Sequence, residues 1–280
     1  MIFDHRICDL GEGPFWHPTR SQLFWFDILN RKLLSQDATG LRAWDFTQIV
    51  SAAAWIDHDT LLIAGETGLS RFDIETGEST VVAEVEADNP VTRSNDGRAD
   101  PLGGFWFGTM GKQAEKGAGA IYRYFRGELR QLFGNITIPN AICFPPTGDF
   151  AHFCDTVTGR VMKVALNAQG WPSAAPEVFL DLTGEDLNPD GAVVDAAGTL
   201  WVAQWGAARV AAYAPDGTFL RAVSFDASHT SCPAFAGDTL CCTTARQGMT
   251  PEQIQAQPDA GKVFCAQGIA TGQTEHQVTI

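Results

Sequence analysis

From Asn188 to Val202 the chain runs polar, apolar, polar, apolar: Asn188-Pro189-Asp190-Gly191, then Ala192-Val193-Val194, then Asp195-Ala196-Ala197-Gly198-Thr199, then Leu200-Trp201-Val202. Two short apolar runs around an Asp/Gly turn predict a strand, a tight turn and a second strand. The same alternation recurs along the chain. Asn140 to Phe144 leads through Pro145-Pro146-Thr147-Gly148-Asp149 into Phe150 to Phe153, and Asn95 leads through Asp100 to Gly104 into Phe105-Trp106-Phe107. Ser51 to Trp55 leads through Asp57-His58-Asp59 into Leu61 to Ile63, and Glu12 to Trp16 leads through His17 to Arg20 into Leu23 to Phe26. A weaker copy runs from Thr230 to Cys232, turns at Gly237-Asp238 and resumes at Leu240-Cys241-Cys242.

Superposing the copies fixes a common phase. Leu61, Phe105, Phe150, Leu200 and Leu240 each lie ten residues after Ser51, Asn95, Asn140, Asp190 and Thr230, and Leu23 lies eleven after Glu12. The second runs therefore begin at 23, 61, 105, 150, 200 and 240, at intervals of 38 to 50 residues. That period, with several short strands per repeat, predicts a β-propeller blade. Further strands fill each unit. They are expected at 32–36 and 41–46 around a turn at 37–40, at 68–73 and 79–84, at 120–124 and 128–133, at 160–166 and 178–181, and at 208–213 and 219–224. The last unit would use 261–265 and a C-terminal segment to Ile280. The expected fold is all-β, a six-bladed propeller with four antiparallel strands per blade, in a single domain over residues 1–280. Two polar stretches interrupt the pattern, Gly111–Gly119 and the Gln- and Pro-rich Gly248–Asp259, which reads as a short helix or loop.

In a propeller the first strand of each blade lines a central channel, so residues opening those strands meet at one mouth. The six equivalent positions carry Glu12, Ser51, Asn95, Asn140, Asp190 and Thr230. Two carboxylates and two carboxamides around one axis suit a hard divalent cation; without one, Glu12 and Asp190 would repel. The histidines at 17, 58, 152 and 229 share no phase and are expected on the surface or in the core. Trp16, Trp106 and Phe144 are open to two roles, pocket wall or blade core.

The net charge of -14 disfavours nucleic acid and anionic membrane surfaces as partners. No apolar run approaches the length of a membrane-spanning helix. The N-terminal Met1-Ile2-Phe3-Asp4-His5-Arg6 lacks the basic start and apolar stretch of a signal peptide. Seven cysteines, an odd number with no C-x-x-C spacing, mostly fall within apolar strand runs. They are expected as free, buried thiols in a reducing cytoplasm.

Leu10-Gly11-Glu12-Gly13-Pro14, Arg93-Ser94-Asn95-Asp96-Gly97, Gly108-Thr109-Met110, Pro139-Asn140 and Pro189-Asp190-Gly191 together resemble the gluconolactonase/regucalcin (senescence marker protein) family. The resemblance runs from the first blade to at least the fifth. It implies one divalent metal (Ca, Zn, Mn, Mg or Fe(II)) held by Glu12, Asn140 and Asp190, with Asp190 as acid/base and Arg93 and Asn95 on substrate. Ser94 stands where family members often have an aromatic residue, and Gln113 where some have Glu, in an insertion that would overhang the site and bring Gln113 to the substrate. The implied activity is hydrolysis of the ester ring of a sugar aldonolactone, a small-molecule partner, by a monomer or weak homo-oligomer. Such hydrolysis needs a polarised carbonyl and a proton acceptor, which a metal and Asp190 would supply, while Arg93 and Asn95 offer hydrogen bonds to polyol oxygens. The competing activities are a metal-dependent phosphotriesterase or arylesterase, and a non-catalytic propeller that binds calcium or a partner.

Overall fold

The computed structural model describes residues 1–37 and 39–280; Ala38, in the turn expected at 37–40, lies outside the described residues. Six four-stranded antiparallel sheets stand around a central axis, a six-bladed β-propeller. The first strands of the blades are Gly11–His17, Val50–Trp55, Thr92–Ala99, Pro139–Cys143, Asn188–Val194 and Thr230–Ala236. All six ring positions inferred from the sequence lie in these strands.

Second strands such as Gln22–Asp27, Phe105–Gly111 and Leu200–Trp205 read as nearly continuous apolar runs because both of their faces are covered. Trp25 packs toward blade six while Phe24 and Phe26 pack toward blade two. Trp106 and Trp201 have the opposite sense: they face the following blade, while their strand neighbours face the preceding one. The hydrophobic core is thus a set of layers, each wedged between two neighbouring blades. Trp106 and Phe144 belong to one such layer, ring centroids 5.5 Å apart, and Trp16 packs in another. All three are core residues rather than pocket walls.

The sixth blade closes differently from the expectation. Its outermost strand is the N-terminal Ile2–Asp4, paired antiparallel with Val263–Ala266, so the start of the chain completes a sheet begun by its end. The segment after Ala266 instead crosses the end of the channel remote from the ring residues. It donates from Gly272 N to Gly237 O, from Gln273 Nε2 to Phe144 O and Val194 O, from Val278 N to Trp55 O and from Thr279 N to Gly103 O. Glu275 in this segment pairs with Arg98, whose side chain is 9% exposed, inside the channel. Of the seven cysteines, Cys241 and Cys265 form a disulfide where free thiols were expected, because they face each other directly across adjacent strands at a Cα separation of 4.0 Å. Cys8, Cys143, Cys154, Cys232 and Cys242 are free and buried. The stretch 248–259 contains one short helix, Pro251–Ala256, started by a reciprocal cap between Thr250 and Gln253. Among the described residues no helix is long and apolar enough to cross a membrane.

Candidate active site at the channel mouth

Each first strand slips register against its second strand at the ring residue: between Glu12 and Phe15, Val50 and Ala52, Ser94 and Gly97, Asn140 and Cys143, Pro189 and Ala192, and Thr230 and Pro233. Such bulges turn a strand and re-aim its side chains. Six bulges at equivalent places explain how one position per blade faces the axis. Gly13 shows why the residue after Glu12 is small. Its φ is +54°, and a Cβ there would lie 2.2 Å from the Ser51 carbonyl oxygen of the next blade.

The mouth opens into a cavity of about 320 Å³ lined by Glu12, Arg93, Asn95, Gln113, Asn140 and Asp190, every site residue inferred from the sequence. Leu10, Met110, Lys112, Ala114, Ile138, Thr156, Trp205 and Gln247 complete the lining. Gln113 lies in the loop between Phe105–Gly111 and Gly119–Phe125 and lines the cavity from there. Lys112 is tied back by Glu66 and by its bond to Pro90 O.

A directional hydrogen-bond chain crosses three blades. Arg93 Nη1 donates to Ser94 O at 2.8 Å and to Asn95 Oδ1 at 2.9 Å. Asn95 Nδ2 donates to Pro139 O at 2.9 Å and to Asn140 Oδ1 at 3.0 Å. Asn140 Nδ2 donates to Thr156 Oγ1 at 2.9 Å, and Thr156 Oγ1 donates to Pro189 O at 2.8 Å. Both amide hydrogens of Asn95 are engaged. Toward a ligand it offers only an acceptor, half of what the sequence suggested.

Glu12 and Asp190 are buried, and neither has an ion-pair partner among the described residues. Glu12 accepts from Gly13 N at 3.0 Å. Both carboxyls are pushed well above the usual carboxylate range, chiefly by burial and then by neighbouring negative charge, Asp96 for Glu12, and Glu12 and Asp96 for Asp190. Burial also lowers the Arg93 guanidinium to about 10, against the pull of Glu12. Asp96, held at about 6 mainly by burial, lies beneath the site and fastens blade three to blade four through Ile142 N at 2.8 Å. Two buried carboxyls, Asp190 raised further by the charge of Glu12, beside a carboxamide oxygen held in place, form a donor set that a hard divalent cation fits. Among the described residues no cluster of three or more His, Cys, Asp or Glu side chains stands ready for a metal, so a cation here would need the carboxamide.

Trp205, Thr156 and Asp96 carry part of the site without a phase signal in the sequence. Trp205 closes its second strand opposite Asn188, so the strand register brings it to the mouth. Its ring stacks on His229 at 4.3 Å, which makes His229 the backing of the cavity wall. The exposed His58 and the buried His17 and His152 stay away from the cavity.

Fold and mouth together define a class: six-bladed propellers with an oxygen-donor site where the channel opens. The chain belongs to the SMP-30/gluconolactonase/LRE-like family, whose model matches residues 10–246. It is 37% identical over 275 residues to the L-arabinolactonase of Azospirillum brasilense, covering 94% of this chain and 91% of that protein. It is 31% identical to the pentonolactonase XacC of Haloferax volcanii, covering 96% of this chain and 94% of that one. The crystal structure of regucalcin, a calcium-binding protein from Agrobacterium tumefaciens, superposes with a TM-score of 0.97 at 39% identity, covering 100% of this chain and 97% of that one.

Proposed function

We propose that the chain is a metal-dependent lactonase that opens the ester ring of a sugar aldonolactone, pentonolactones such as xylonolactone and arabinonolactone included. The observation that carries this is the pair of buried carboxyls, Glu12 and Asp190, at the base of a 320 Å³ cavity with no ion-pair partner among the described residues. Relatives that are lactonases over nearly the whole chain support the reaction class. Glu12, Asn140 and Asp190 are the residues to hold the cation. When bound, a divalent cation polarises the lactone carbonyl and offsets charge growing on its oxygen.

The chain's own groups do the rest. The Asp190 carboxylate takes a proton from the attacking water and returns it to the ring oxygen as the ester C–O bond breaks. Arg93 commits Nη1 to Ser94 and Asn95, which leaves Nε and Nη2 donors for sugar hydroxyls. Asn95 accepts from a hydroxyl, and Gln113 reaches the substrate from the overhanging loop. Trp205 offers an apolar wall against water. A cytoplasmic location accords with five free thiols, and the Cys241–Cys265 bond is the feature that accords with it least.

Initial rates on a panel of pentono- and hexonolactones, an aryl ester and a phosphotriester test this, before and after metal removal verified by elemental analysis. Lactone hydrolysis above the spontaneous rate, lost on chelation and restored by one divalent ion per chain, is the expected result. Undiminished hydrolysis by metal-free protein would overturn the metal, and a preference for the phosphotriester would overturn the substrate.

A further inference from the structure

The geometry points to Thr156 as the positioning residue that orients the Asn140 carboxamide and thereby sets how tightly the divalent cation is held. This rests on Asn140 being a ligand, as proposed.

The hydrogen-bond chain at the mouth has fixed ends. Arg93 at one end can only donate, and the Pro189 carbonyl at the other can only accept. Every bond between them therefore runs one way. Thr156 has a single hydroxyl hydrogen, and it goes to Pro189 O at 2.8 Å. What Thr156 presents to Asn140 is a lone pair, which receives Nδ2 at 2.9 Å. On the other side of the amide, Asn95 Nδ2 donates to Asn140 Oδ1 at 3.0 Å. Turning the Asn140 amide over would set its oxygen against a hydroxyl oxygen with no hydrogen to give. It would also set its NH₂ against the NH₂ of Asn95. Both contacts would be repulsive, so the oxygen stays where Asn95 finds it, with its second lone pair left for a cation.

Thr156 is itself well anchored. It opens the 3-10 turn Thr156–Thr158 after the strand Phe150–Asp155, and its backbone N donates to Ile138 O at 2.9 Å, two residues before Asn140. Its hydroxyl spans to the neighbouring blade just before Asp190. One side chain thus fixes the orientation of one candidate ligand and the backbone beside another. Groups that orient metal ligands in this way typically govern affinity by about 10–100-fold.

The test strips the full-length protein of metal and titrates it with Mn²⁺, following the free ion by electron paramagnetic resonance. Thr156→Val keeps the shape but loses both the donor and the lone pair, and should weaken Mn²⁺ binding by about 10–100-fold. Thr156→Ser should restore binding to near wild type. In an Asn140→Ala background, Thr156→Val should cost little more, since there is no amide left to orient. Should Thr156→Val not fold, Thr156→Ala carries the same comparison. A merely structural role would lower the thermal midpoint of the metal-free protein and leave the Mn²⁺ affinity alone; that result overturns the inference, as does an equal loss with and without Asn140. If Asn140→Ala itself binds Mn²⁺ like wild type, the ligand assignment falls and the inference falls with it. If Asn140→Ala weakens binding and Thr156→Val does not, only the role of Thr156 falls.

Discussion

Asp190 and Asn140 occupy equivalent places on two blades, yet only one of them can accept a proton in the pH range of the reaction. Asp190→Asn keeps the size and an oxygen donor and removes the base. Its kcat is expected to fall by roughly two to four orders of magnitude, measured as background-corrected lactone opening at matched metal occupancy. Near-wild-type turnover would assign the proton transfer elsewhere. A second residue-scale expectation concerns His152, which lies far from the cavity. Its buried ring packs on Phe179 at 4.4 Å, and its Nδ1 has no hydrogen-bond partner among the described residues. Burial depresses its pKa from 6.5 to about 4, so the folded protein keeps it neutral while the unfolded chain takes up a proton. The sign follows from linkage: this stability is intact above pH 6.5 and is lost as pH falls toward 4. For one such histidine the loss is on the order of 2 kcal/mol between about pH 7 and pH 5. His17, also depressed to about 4 chiefly by burial, acts in the same direction. Urea midpoints at the two pH values should converge in His152→Phe relative to wild type, and an unchanged pH slope would exclude it as a source.

At the scale of the element, the bulged first strand is the unit that makes the site. Gly13→Ala would force a side chain into left-handed backbone and against the Ser51 carbonyl, moving the Glu12 bulge. A destabilisation of more than about 1 kcal/mol with weaker metal binding is expected, whereas Gly184→Ala, with nothing within 4 Å of the new Cβ, should leave metal binding alone. Chemical denaturation and metal titration of both variants decide it. These strands were readable in the sequence because Asp/Gly and Pro/Gly turns punctuate apolar runs at a steady interval, and because Glu12, Asn95, Asn140 and Asp190 share one phase. Strands 68–73, 79–84 and 219–224 fell where the pattern put them. Other features depend on register or on distant partners and leave no local mark. Ile2–Asp4 is three residues long, and its partner lies at the far end of the chain. Thr156 and Trp205 reach the cavity only because second strands run antiparallel to the first and end at the mouth. Cys241 and Cys265 are separated by 24 residues in no recognisable motif, and only the pairing of their strands brings them together.

For the whole molecule, five blades are each built from contiguous chain and the sixth is not, so the ring is held shut by strand pairing between the two ends of the sequence. Removing residues 1–5 should expose the edge of Val263–Ala266 and lower the thermal midpoint by roughly 5–10 °C, with faster unfolding. Melting and stopped-flow unfolding of the truncated chain would show whether closure at this seam governs the whole ring; a midpoint within about 1 °C of wild type would show that it does not. The last residues have the opposite effect on the channel. Because the segment after Ala266 is bound to blades two through six, the opening opposite the carboxylates is stoppered, and the cavities beneath Asp96 and Arg98 measure about 10 and 20 Å³. The passage through the propeller is therefore a cul-de-sac with one door. Whatever enters past Gln113 and Trp205 must leave by the same way, and the opened acid has to back out before the next molecule arrives. In such a vestibule departing and arriving molecules would share one threshold, and added ring-opened acid is expected to raise the apparent KM in initial-rate measurements.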